Sequence, residues 1–190
     1  MEAINSPPTP TIRCGMVGFG MIFDETYRPV FERRVSKPLY SPATGPVTVR
    51  LAAVASRTGS RAERYLATPA GRALSFAHFA GPDSAESLLS SGVDAVCVAT
   101  PDDRHFAAAH AALTAGKHVL IEKPSVLTLR ELDELSRLAA ERKVLAKVVY
   151  HKLADPDHKK LRTHYQDGVL CHVNTGYCSL LEPKSISGGQ

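Results

Sequence analysis

Apolar and polar positions alternate along this chain in blocks that predict strands and helices in regular succession. The first apolar run, Ile12, Cys14, Met16 and Val17, breaks into Gly18-Phe19-Gly20, and apolar positions resume at Met21, Ile22, Val30 and Phe31 with helical spacing. Strand, tight glycine turn and helix follow from that pattern. Pro29 falls inside the helix, where it removes an amide donor and crowds the preceding turn, so a late helix start or a kink is expected. Residues 35–47 carry three prolines and a glycine and read as a loop.

The alternation continues to about residue 150. A second strand covers Val49 to Ala55 and ends in Ser56-Arg57-Thr58; Thr58 or Ser60 opens a helix through Leu66. A weak third strand near Leu74 to Phe79 precedes a helix starting at Asp83-Ser84-Ala85-Glu86, with Leu88 and Leu89 on its buried side. Val93 to Ala99 is almost continuously apolar, as expected of a strand covered on both faces of a parallel sheet, and it stops at Thr100-Pro101-Asp102. Asp102 or Asp103 caps an alanine-rich helix from Arg104 to Ala115, which Gly116 ends. The strand His118 to Ile121 runs into Glu122-Lys123-Pro124. Thr128 and Glu131 then form a capping box for a helix with Leu132, Leu135, Leu138 and Ala139 on one face, and Val144 to Tyr150 supplies a sixth strand. The expected fold is α/β, a doubly wound parallel sheet.

This order places the chemistry. Gly18 supplies backbone angles that a side chain forbids, and Gly20 lets the main chain approach a pyrophosphate at the start of the following helix. That is how a dinucleotide-binding unit begins, although the third glycine of G-x-G-x-x-G is Phe23 here. Methyltransferases use a similar loop, but they call for an acid at the end of the second strand, where this chain has Ser56 and Arg57. Those two residues lean toward the 2'-phosphate of NADP, which an arginine fork and a serine hydroxyl bind well. The plainer alternative is that they only form a turn and a helix cap.

The net charge of +4 comes from scattered basic residues, which suits an anionic small ligand and gives no nucleic-acid footprint. No apolar run is long enough for a membrane span, and residues 1–10, with three prolines and an acid, resemble a disordered lead-in more than a secretory signal. A soluble, cytoplasmic protein is expected. Cys14 and Cys97 sit in strand-like runs, and Cys171 and Cys178 lack C-x-x-C spacing, so reduced thiols are expected and no metal site. His151, His158, His164 and His172 repeat no ligand pattern either.

Gly18-Phe19-Gly20, then Asp94-Ala95-Val96 leading to Thr100-Pro101-Asp102 and His105, then AGKHVLIEKP ending at Pro124, together resemble the glucose-fructose oxidoreductase and inositol dehydrogenase family, Gfo/Idh/MocA. The resemblance spans residues 11–150 and implies a Rossmann domain that binds NADP or NAD. By the same resemblance the chain oxidises or reduces a sugar, polyol or related compound. Gly18, Phe19, Gly20, Met21, Ile22, Ser56, Arg57, Thr100, Pro101, His105 and Glu122 are then the cofactor-binding candidates. Lys123 is the catalytic candidate, an ammonium placed to stabilise a developing alkoxide. A surface lysine beside a turn proline is the plainer alternative for Lys123, and a structural salt bridge for Glu122. Members of the family are much longer, with a second α/β domain, so residues 151–190 are expected to hold a linking helix and the first strand of that domain, around His172 to Leu181. A chain stopping there reads as a truncated member whose unpaired strand edges favour a homo-oligomer. The rival reading is a non-catalytic nucleotide-binding or sensing remnant.

Overall fold

The structure is a computed structural model and describes residues 9–177 and Ser179. Packing divides the chain after Val149 into two units. The first unit is built on a twisted sheet. Its strands are β1 (Thr11–Val17), β2 (Leu39–Ser41), β3 (Gly45–Ser56), β4 (Ala77–Ala80), β5 (Ala95–Val98), β6 (His118–Ile121) and β7 (Ala146–Val148). Its helices are α1 (Arg28–Arg34), α2 (Ser60–Leu66), α3 (Pro69–Leu74), α4 (Ser84–Ser90), α5 (His105–Thr114) and α6 (Leu129–Arg142).

Six strands run parallel in the order β4-β3-β1-β5-β6-β7, and β2 pairs antiparallel with the start of β3. The chain first winds outward from β1 to β4 and then returns to wind the other way from β5. That reversal lies between β1 and β5, and in an open sheet of this kind ligands bind beyond the carboxyl ends of the strands at such a point. The doubly wound α/β fold expected from the sequence is the fold observed.

Alternate strand positions feed two cores, one on each face. Val17, Ala53, Ala55, Val96, Val98 and Ile121 pack with Leu88, Leu113, Leu135 and Leu138 of α4, α5 and α6. Met16, Leu51, Val54 and Cys97 pack with Phe19, Phe23, Tyr27, Phe31 and Phe76 on the opposite face. Period-two burial in central strands with no polar face is why β5 reads as a continuous apolar run. The Thr128–Glu131 capping box forms as expected, whereas Leu132 stays largely exposed and the buried stripe of α6 is Leu135, Leu138 and Ala139.

Four local features refine or depart from the sequence reading. Of the two outcomes expected at Pro29 the late helix start is the one observed: α1 begins at Arg28, and a π-helical turn, Phe23–Tyr27, precedes it, with the Arg28 amide donating to the Phe23 carbonyl. The wider turn brings Pro29 in at the start of a regular helix, where its missing donor costs little. Residues 35–47 are not a plain loop, because Leu39–Ser41 and the first residues of β3 make a short hairpin. Leu74 closes α3, a helix capped by the Thr68 hydroxyl, and the third strand begins later, at Ala77. Finally, Asp102 and Asp103 lie in a short 3₁₀ turn with no side-chain cap bond, so neither caps α5.

In the second unit, α7 (Pro156–Gln166) starts at Asp155, whose carboxylate accepts from the amides of Asp157 and His158. Residues 171–177 form neither helix nor strand. The lead-in over residues 1–8, Cys178 and the end of the strand expected to reach Leu181 lie outside the described residues. Among the described residues no helix is long and apolar enough to cross a membrane, and no three His, Cys, Asp or Glu side chains cluster as a metal site would require.

Candidate functional site at the sheet's topological switch

The carboxyl ends of β3, β1, β5 and β6 carry the candidate residues, and main-chain bonds hold those ends in register. The Gly18 amide donates to the Ala55 carbonyl at 3.0 Å, Ala99 to Val17 at 2.9 Å, and Glu122 to Val98 at 2.9 Å. Gly18 has φ +95°, and a Cβ there would lie 2.2 Å from the Ala99 carbonyl oxygen. Only glycine fits, for its backbone angle and for the contact alike. A Cβ on Gly20, by contrast, meets nothing within 4 Å, which leaves the main chain open on the crevice side.

Phe19 does not look into that crevice. Its ring is buried and stacks on Phe23 with centroids 3.9 Å apart, beside Phe76 and Tyr65, so only its main chain is available to a ligand. Met21 is half exposed and Ile22 partly buried. At the end of β3, Ser56 Oγ accepts from the Gly59 amide at 3.2 Å, and Gly81 donates to the carbonyls of Ser56 and Arg57. Arg57 is exposed and makes no ion pair among the described residues. Its neighbour Arg61 pairs with Asp24 of the π-helical turn.

Thr100 and Pro101 form the turn after β5. The Thr100 hydroxyl oxygen is buried with no hydrogen-bond partner among the described residues, and Pro101 is exposed. His105 is 1% exposed, with Nε2 2.8 Å from the Thr100 carbonyl and Nδ1 2.6 Å from the Pro124 carbonyl. Both ring nitrogens are therefore taken up by main chain. This residue ties the two loops together and offers no nitrogen to a ligand.

Glu122 is buried, and its Oε1 accepts a 2.9 Å bond from the Tyr27 hydroxyl. The Lys123–Pro124 peptide is cis, and the Lys123 side chain is exposed with no ion pair among the described residues. Burial, then Cys97 and the Glu122 carboxylate, push the Tyr27 phenol far above its ordinary range, so it remains a donor. Sequence reasoning missed Tyr27, Asp24 and Arg61. An aromatic on an amphipathic helix reads as core, and the partner of Tyr27 lies 95 residues away.

The crevice fits a dinucleotide on three observations: a glycine held by main-chain contact, an open approach at Gly20, and a buried hydroxyl at Thr100 with a bond still to make. The family model of the Gfo/Idh/MocA oxidoreductases, described as an NAD-binding Rossmann fold, matches residues 12–150. UDP-N-acetylglucosamine 3-dehydrogenase of Acidithiobacillus ferrooxidans is 42% identical over 79 residues, covering 42% of this chain and 25% of that protein. The NADP(+)-dependent scyllo-inositol 2-dehydrogenase of Bacillus subtilis is 35% identical over 83 residues, covering 44% and 23%. A crystal structure of a 3-ketoreductase from Actinomadura kijaniata with TDP-benzene and NADP superposes with TM-score 0.67 at 30% identity, over 85% of this chain and 45% of that one. The chain thus spans less than half the length of these relatives.

Proposed function

This chain belongs to the Gfo/Idh/MocA oxidoreductase family, and from that premise we propose that it binds NADP in preference to NAD and serves hydride transfer to or from a sugar, polyol or related compound. The observation that carries the reading is the meeting of three features at one switch point: the Gly18 turn against Ala99, the unpartnered Thr100 hydroxyl, and the exposed Lys123 between anchored neighbours. A bound nicotinamide supplies or accepts the hydride.

The chain's own residues do the rest. The Gly18–Gly20 main chain receives the pyrophosphate, and the Thr100 hydroxyl gains the partner it lacks. Arg57 receives the 2'-phosphate with a charge that no acid among the described residues has already claimed. During reduction the Lys123 ammonium stabilises the negative charge growing on the substrate oxygen and gives it a proton, becoming the neutral amine; in oxidation that neutral amine takes up the hydroxyl proton. Names of relatives support this reading, since they include a sugar-nucleotide 3-dehydrogenase, an NADP(+)-dependent inositol dehydrogenase and a ketoreductase crystallised with NADP.

Titration of the purified chain with NADPH and with NADH tests the proposal through the cofactor's own fluorescence, unobscured because the chain has no tryptophan. The expected result is tighter binding of NADPH, reduced about tenfold or more by Arg57→Ala, with NADH little affected. A folded chain that binds neither refutes the cofactor reading; a folded chain that binds both equally refutes the preference.

A further inference from the structure

One buried bond, between the Tyr27 hydroxyl and the Glu122 carboxylate, has no part in the proposed chemistry. The segment Glu122-Lys123-Pro124 is anchored at three points. The Glu122 amide donates to Val98 in β5, the Glu122 carboxylate accepts from Tyr27, and the Pro124 carbonyl meets His105. Two anchors come from the β5 side of the crevice. Among the described residues only the Tyr27 hydroxyl bonds to the segment from the glycine-turn side, and it does so from the last position of the π-helical turn. Single π-turns of this kind are rare and are frequent at functional sites.

We infer that Tyr27 is a positioning residue: its hydroxyl holds Glu122, and thereby the Lys123 segment, at a fixed place relative to the glycine turn that receives the dinucleotide. The inference rests on the dinucleotide reading above. Its physical basis is the cost of the alternative. A carboxylate that is 7% exposed cannot lose its only hydrogen-bonding side chain among the described residues and keep its orientation, because it must then turn to find water. In this chain that means turning the residue next to Lys123. The phenol ring itself belongs to the aromatic core with Phe23 and Phe31, so removal of the hydroxyl alone leaves the packing intact.

The test is a double-variant cycle in the full chain, with NADPH affinity read by cofactor fluorescence and folding checked by thermal melting. Tyr27→Phe is expected to weaken NADPH binding about tenfold with the melting curve kept cooperative. Glu122→Ala combined with Tyr27→Phe is expected to bind no more weakly than Glu122→Ala alone, since the hydroxyl acts only through the carboxylate. Tyr65→Phe serves as the control, because it removes a comparable 2.8 Å bond, Tyr65 to Glu32, outside the crevice; NADPH affinity is expected to stay unchanged. Wild-type binding with no loss in Tyr27→Phe, or losses that multiply in the double variant, overturns the inference and leaves the dinucleotide reading standing. Failure of the folded wild-type chain to bind either cofactor overturns both.

Discussion

The Cα of Gly18 lies against the Ala99 carbonyl so closely that a methyl group would come within 2.2 Å of its oxygen. Main chain presses on main chain, and neither partner has a flexible end that can yield. Gly18→Ala therefore adds a steric overlap to a backbone angle, φ +95°, that costs a side-chain-bearing residue about 1–2 kcal/mol by itself. A total loss above about 2 kcal/mol is expected, together with loss of dinucleotide binding. Gly20→Ala meets nothing within 4 Å and is expected to melt like the wild type while binding the dinucleotide more weakly. Urea unfolding of both variants checks the contrast, and equal stability of the two would remove the steric account.

His105 predicts a different kind of failure. Its buried ring stands between the Thr100 and Pro124 carbonyls, at the two loops that flank the crevice. His105→Phe retains a ring of similar size and removes both nitrogens. Both partners are carbonyls and a neutral ring carries one N–H, so one carbonyl loses its donor and the contact at the other is lost with it. A fall in stability of about 1–3 kcal/mol is expected, with weaker NADPH binding as the loops separate. A variant that unfolds at the same urea concentration as the wild type would show that the two contacts hold nothing.

How much of this was legible beforehand depends on the range over which each residue acts. Gly18 could be read because a glycine after an apolar strand has few other uses, and the Thr128–Glu131 box because both partners lie within one turn. The alternation of strands and helices was legible because each buried face repeats locally. His105 could be placed near the crevice by position, but its role could not, because the carbonyls it meets have no sequence signature. Tyr27 was hidden for the same reason, since an aromatic at a core position gives no sign of a carboxylate far along the chain. Pro29 gave the right warning, since α1 starts only at Arg28, but the π-turn ahead of it is a local choice of hydrogen-bond pattern that residue types alone do not reveal.

The capping box offers a test of stability away from the chemistry. Thr128 Oγ1 accepts from the Glu131 amide, while the Glu131 carboxylate accepts from the amides of Leu127 and Thr128. Thr128→Ala is expected to cost about 1 kcal/mol through loss of the cap and to leave NADPH affinity unchanged. A large fall in affinity would mean that the start of α6 positions the Lys123 segment, which the bonds described here do not require.

Alkaline unfolding isolates Cys14. Burial first, and the Asp94 carboxylate second, push this thiol from its ordinary value near 9 up to about 11. Between those values the unfolded chain releases the proton and the folded chain keeps it, so the folded state binds more protons. Stability must then fall as pH rises from about 9 and level off for this group near 11. A thiol that is ionised in the unfolded chain and protonated in the folded one gives a slope of at most about 1.4 kcal/mol per pH unit, hence a loss on the order of 2 kcal/mol across the window. Cys97 is shifted in the same direction, and the Tyr27 and Tyr65 phenols join above pH 10, so the wild-type slope is a sum. Cys14→Ala removes one contribution. Its absolute stability drops for lack of packing, but its stability between pH 8.5 and 10.5 is expected to decline less steeply than that of the wild type, as urea melts at each pH will read out. Parallel declines would place the Cys14 thiol in contact with water, contrary to its position between β3 and β5 in the sheet.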